Sequence, residues 1–115
     1  MKSNVLTRWI AALRSDDYEQ IRDHLSNGPD KFCALGVLCE LYRQDHASLS
    51  CWTQNSWTFF DGRDYHTNTP PIKVRTWADL SDDDIVTVQR WNDIEEFSFQ
   101  QIADLLSLNL NQEPY

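Results

Sequence analysis

The chain has 115 residues, 41% of them hydrophobic and 24% charged, with three Gly and four Pro. That is the size and composition of one domain with one core, and it excludes a second domain, a disordered chain and a low-complexity tract. The formal net charge is −8, and its location says more than its size.

Residues 1–78 hold nine basic and nine acidic side chains, whereas residues 79–115 hold nine acidic ones against Arg90 alone. Such a pole opposes binding to nucleic-acid backbone or anionic lipid, because affinity for phosphate comes from cations that displace counterions. No apolar run reaches the roughly 18 residues that span a bilayer. The start, Met1-Lys2-Ser3-Asn4, leads into a stretch interrupted by Arg8 and Arg14, unlike a signal peptide. A soluble, cytoplasmic protein is expected, and three cysteines without a C-x-x-C pair suit a reducing compartment.

Ser3 or Asn4 is placed to cap a first helix, in which Val5, Trp9, Ala12 and Leu13 form one apolar stripe. Ser15, Asp16 and Asp17 offer a second cap, and Tyr18, Ile21 and Leu25 keep helical spacing up to Asn27-Gly28-Pro29, which predicts a second helix. From Lys31 the run Phe32-Cys33-Ala34-Leu35-Gly36-Val37-Leu38-Cys39 is apolar on every side and continues through Leu41 and Tyr42, the pattern of a central buried helix. Gly36 costs that helix about 1 kcal/mol relative to Ala, so another backbone is expected to pack closely against it.

Between residues 51 and 68 the chain turns to Trp, Phe, Tyr and Thr, and Asp61-Gly62 predicts a hairpin with a two-residue turn. Phe60 would then face Arg63, Phe59 face Asp64, Thr58 face Tyr65 and Trp57 face His66. Pro70-Pro71 breaks the chain, and Ile72, Val74, Trp77 and Leu80 predict an irregular or single-turn segment laid on the core. Ser81 before Asp82, Asp83 and Asp84 opens a short helix carrying Ile85, Val88 and Trp91. Ser98 with Gln101 forms a capping box for a last helix bearing Phe99, Ile102, Ala103, Leu105 and Leu106, and residues 109–115 are expected to fray. The resulting fold class is a single α+β domain over residues 1–115, with several short helices around a buried central helix and a small antiparallel β-hairpin.

Three segments, Trp9-Ile10-Ala11-Ala12-Leu13-Arg14-Ser15 with Tyr18, Phe32 to Leu41, and Asn92-Asp93 followed by Ser98-Phe99-Gln100-Gln101-Ile102-Ala103-Asp104, together span most of the chain. In these segments the chain resembles a family of small uncharacterised proteins of bacteriophages and bacterial genomes. The resemblance implies a phage accessory protein in the host cytoplasm, and it carries over no catalytic residue. The family's glycine-containing stretch after the tyrosine is replaced by Glu19-Gln20-Ile21-Arg22.

The chemistry-bearing residues give little support to an enzyme. Cys33, Cys39, Cys51, His24, His46 and His66 have no common zinc spacing, and Cys33 and Cys39 lie in the most apolar helix, where thiols act as small hydrophobes. Cys33 stands near a helix N-terminus, yet nothing places a histidine beside it. Asp64 and His66 on one hairpin face, with Arg63 and Tyr65 on the other, amount to an exposed polar tip, with no serine elbow, phosphate loop or HExxH to accompany them. Ser98 to Leu108 is similar to the first helix of a helix-turn-helix, but only seven residues follow and the neighbourhood is acidic.

No catalytic residue, metal or cofactor is expected. Beside the reading of the acidic residues as a solvated surface that keeps the protein soluble, two binding readings remain. In the first, Asp79, Asp82, Asp83, Asp84, Asp93, Glu95 and Glu96, with Asp104 nearby, form an acidic surface that meets a host protein with a basic surface and inhibits or redirects it. In the second, Arg14, Arg22 and Arg63 with Trp52 and Trp57 line a pocket that sequesters a small nucleotide signal, since arginine forks suit phosphate and aromatic faces suit bases.

Overall fold

The computed structural model describes residues 1–53 and 57–109. Among these residues, five helices and two small three-stranded sheets follow one another in an α+β arrangement. Helix α1, Ser3–Arg14, buries Val5, Leu6, Trp9 and Leu13. Its periodicity matches the expected stripe, but its cap does not. Lys2 occupies the cap position without a side-chain bond, and its backbone N–H is held instead by the Ala78 carbonyl at 3.0 Å.

The expected second helix is absent, and this is a correction. Residues Glu19–Gln20 form β1, Ser26–Gly28 form β2 and Lys31–Phe32 form β3, in a sheet of order β1-β3-β2. β1 runs parallel to β3, and β2 antiparallel to it with an irregular register. Three apolar residues are too few to hold a helix in a stretch rich in Asp and Ser, whose side chains favour turns. Asp16, Asp23 and Asp30 all adopt positive φ, at 63°, 71° and 62°. Tertiary bonds complete the choice, from Ile21 N–H to the Phe32 carbonyl at 3.0 Å and from Leu25 N–H to the Thr67 carbonyl at 2.6 Å.

Helix α2, Ala34–Asp45, is the centre of the molecule and buries nine consecutive residues, Ala34 to Tyr42. It starts later than the apolar run suggested, because Phe32 belongs to β3 and Cys33 takes the cap position, its Sγ accepting from Gly36 N–H at 3.3 Å. The expected close crossing at Gly36 is present. A Cβ there would lie 1.8 Å from the Leu25 carbonyl oxygen and 2.8 Å from its carbon. Trp9, fully buried, ties α1 to this helix by donating its indole N–H to the Ala34 carbonyl at 2.9 Å.

Strands β4, Cys51–Trp52, β5, Phe59–Phe60, and β6, Tyr65–His66, form the second, antiparallel sheet. The hairpin exists, but its register is two residues wider than expected, with Phe59 opposite His66 and Phe60 opposite Tyr65. A slip of two keeps Phe59 with His66 on one face and Phe60 with Tyr65 on the other, as expected, whereas Arg63 and Asp64, expected on those faces, fall in the turn instead. Residues 54–56 of this segment lie outside the described residues.

The segment after Pro70-Pro71 is a seven-residue helix, α3, Ile72–Ala78, more regular than the single turn expected, and it ends on Asp79 at φ 55°. Helix α4, Asp82–Asp93, has the expected capping box of Ser81 and Asp84. Helix α5, Phe99–Asn109, packs along α1 and is opened by the expected Ser98 and Gln101 pair, at 2.9 and 3.2 Å. Asn109 is the last residue of that helix, and the rest of the expected frayed tail, residues 110–115, lies outside the described residues. No helix among the described residues is long and apolar enough to cross a membrane.

Candidate functional site: the outer side of α4

Helix α4 is positioned by a polar residue on its apolar stripe. Ile85, Val88 and Asn92 face the core, and Asn92 is 1% exposed. Its Oδ1 accepts from Gln20 Nε2 at 2.8 Å and from Ala34 N–H at 3.2 Å, and its Nδ2 donates to the Ile21 carbonyl and to Asp93 Oδ1, each at 2.8 Å. Gln20 also donates to the Phe97 carbonyl at 2.8 Å. The Asn92 amide thus joins α4 to β1, the residue after it and the start of α2, and the Gln20 amide extends the link to the loop before α5. Sequence reasoning missed this role, although a polar residue continuing the Ile85 and Val88 spacing is a readable sign of it.

The opposite side of α4 faces outward. Val86 and Ile94 are 62% and 73% exposed, and with Arg90 between them they follow i, i+4, i+8 spacing, a ridge about 12 Å long at 1.5 Å per residue. On one flank runs an open groove of 630 Å³ lined by Asp23, Asn68, Val86, Gln89, Arg90, Asp93 and Ile94. On the other is a groove of 360 Å³ walled by Trp91, Glu95 and Phe97.

The acidic residues singled out by charge fall into two groups. Several serve the fold. Asp84 closes the capping box, Asp82 bonds Arg75 at 2.7 Å, and Asp93 accepts from Asp23 N–H at 3.0 Å. Asp79 lies 4.0 Å from the amino terminus and Asp104 pairs with Arg14 at 2.7 Å. The rest are exposed and loosely held. Glu95 is 3.9 Å from Arg90, Glu96 sits at φ 57°, and Asp83 and Glu96 have no ion-pair partner among the described residues.

The residues of the nucleotide reading have separate surroundings. Arg14 is engaged by Asp104 of α5. Trp52 gives its indole N–H to Glu40 at 2.9 Å and packs on Phe32 and Phe59. Arg63 stands exposed in the β5–β6 loop, 4.0 Å from Asp64, while Arg22 is exposed on the loop after β1 and Trp57 is half-buried at φ 52°.

Two buried carboxylates were not anticipated as such. Asp61 Oδ1 accepts from Arg63 N–H at 2.9 Å and Asp64 N–H at 2.7 Å, and its Oδ2 lies 3.0 Å from His66 Nε2. The carboxylate beside His66 is therefore Asp61, not the Asp64 that the narrow turn would have supplied. Burial alone would push the Asp61 carboxyl up, and the Asp64 and Arg63 N–H groups with the His66 ring outweigh it, holding it below the usual range. Glu40, inside the apolar run of α2, is likewise raised by burial but brought net down by Arg43, Trp52 and Gln44.

Cys33 is pushed up to about 12 by burial, only partly opposed by the Gly36 N–H, and burial also raises Cys39, so both are inert thiols at neutral pH. Among the described residues no three His, Cys, Asp or Glu side chains are grouped to hold a metal ion.

The architecture is that of a small α+β domain in which, among the described residues, every buried side-chain nitrogen and oxygen has a hydrogen-bond partner. Residues 1–112 match the family described as a domain of unknown function, DUF8296, and the chain belongs to that family. No curated protein and no solved structure matches it.

Proposed function

We propose that the protein is a phage accessory protein that binds a host protein with a basic surface through its acidic side, and so inhibits or redirects that protein. The observation that carries this reading is the set of exposed carboxylates on α4 and the loop after it, of which Asp83, Glu95 and Glu96 are not needed to hold the fold. Exposed like charges in one place raise the encounter rate with a basic partner and select against acidic ones. The phage setting is supported by the likeness of the Trp9, Phe32 and Asn92 segments to phage and bacterial proteins.

The test is affinity capture from host lysate with the wild type beside an Asp83→Asn, Glu95→Gln, Glu96→Gln variant, which leaves the Asp84 cap and the Asp82–Arg75 bond intact. A partner held at about 0.05 M salt and released at about 0.5 M, where screening shortens to a few ångströms, and lost in the variant, is the expected result. A partner indifferent to both changes contradicts the reading.

A further inference from the structure

We infer that the acidic side takes hold of its partner through the α4 ridge, and that what docks there is an amphipathic helix of a partner protein, apolar along one stripe and flanked by Lys and Arg. This rests on the reading of the acidic side as a contact surface and gives it a centre. Carboxylates alone would make a wet, weakly specific patch, since exposed ion pairs contribute about 0–1 kcal/mol each. Specific interfaces have an apolar centre within a polar rim. On the outer side of α4, Val86 and Ile94 stand exposed on either side of Arg90, with Asp93 and Glu95 in the flanking grooves and Asp83 and Glu96 beyond the two ends of the row in sequence.

The shape selects a helix. A straight i, i+4, i+8 row with a groove along each flank is the relief into which the side-chain row of a second helix settles. Charge selects a cationic one. The larger groove has Asp23 and Asp93 on its walls, Glu95 lines the smaller one, and the single cation of the ridge, Arg90, already lies 3.9 Å from Glu95. A second copy of this chain, with net charge −8, would bring like charge against like.

The experiment uses a fluorescein-labelled synthetic peptide of about 15 residues with Leu at i, i+4, i+7 and i+11 and Lys elsewhere on its flanks, beside a peptide of the same composition with scrambled order. Anisotropy titrations are run against the wild type, Val86→Ser/Ile94→Ser, and Asp83→Asn/Glu95→Gln/Glu96→Gln, each first shown to melt as the wild type does.

The expected result is at least tenfold tighter binding of the ordered peptide than of the scrambled one, with that preference abolished by the double serine change. Equal binding of both peptides, weakened only by the charge variant, overturns the helix inference and leaves the acidic-surface reading standing. Binding insensitive to the charge variant, or no binding of either peptide, overturns both. Concentration-dependent dimerisation of the free protein that the serine change abolishes overturns the inference in favour of self-association.

Discussion

Helices α2 and α4 are both twelve residues long, and they are made in opposite ways. α2 has no acidic residue in its first turn and a thiol as its capping acceptor, so its helical state comes from its surroundings, with nine successive residues buried. α4 carries three Asp in its first turn and a full capping box, and buries only Ile85, Val88 and Asn92. A helix stabilised by its own termini can leave most of its circumference to solvent. The helix that holds the fold together and the helix that presents a surface are thus distinguished by where their stability comes from.

The largest effect expected from breaking this contrast is at Gly36. The atoms that a Cβ would meet are backbone atoms of Leu25, which cannot rotate away, so Gly36→Ala should cost about 3 kcal/mol, the upper end of ordinary overpacking. That is a fall of roughly 10 °C or more in melting temperature for a domain of this size. A melting temperature within two or three degrees of wild type would show that α2 is not clamped there.

Next comes the amide joining the two helices. Asn92→Ala leaves the Ile21 carbonyl and the Ala34 N–H without this partner, at a cost of about 1–3 kcal/mol. The loss should appear in urea denaturation as a lower midpoint with an unchanged slope.

The two buried carboxylates give a dependence on pH. Asp61 and Glu40 are both held below their ordinary values of 3.8 and 4.5. Their contribution is therefore complete above those values and is lost as pH falls through the lower folded ones. Asp61→Asn keeps an oxygen for the Arg63 and Asp64 N–H groups while removing the titration. Melting curves between about pH 6 and pH 3 should accordingly fall less steeply for that variant than for the wild type. A slope equal to the wild type's would remove Asp61 from the account.

Ser81→Ala should cost about 1 kcal/mol through loss of the cap, measurable as a shift of a few degrees in melting temperature.

What was legible in the sequence follows the same division. The helices with local signals were readable, α1 from its stripe, α4 from Ser81 and its three Asp, and α5 from Ser98 and Gln101. Gly36 also announced its crossing, because a glycine inside an apolar helix is unfavourable unless something approaches it closely. The segment from Ser15 to Phe32 was not readable. Its strands of two or three residues are fixed by bonds to distant backbone, and its three apolar residues imitate a helical period. The hairpin turn widened because Asp61 turned its carboxylate inward onto the N–H groups of Arg63 and Asp64, an option that Asp-Gly alone does not reveal. Of the candidate site, the acidic residues were visible by charge, whereas Val86 and Ile94 were not, since their exposure depends on which side of α4 meets the core.

With Val86, Arg90 and Ile94 exposed, the outer side of α4 is spare as far as the fold is concerned. Comparison of the urea midpoint of Val86→Ser/Ile94→Ser with that of the wild type tests it most directly. The two midpoints should agree to within about 0.5 kcal/mol of stability, as for surface substitutions that remove no buried contact. A loss approaching that of Gly36→Ala would mean that the ridge belongs to the core, and would contradict the account.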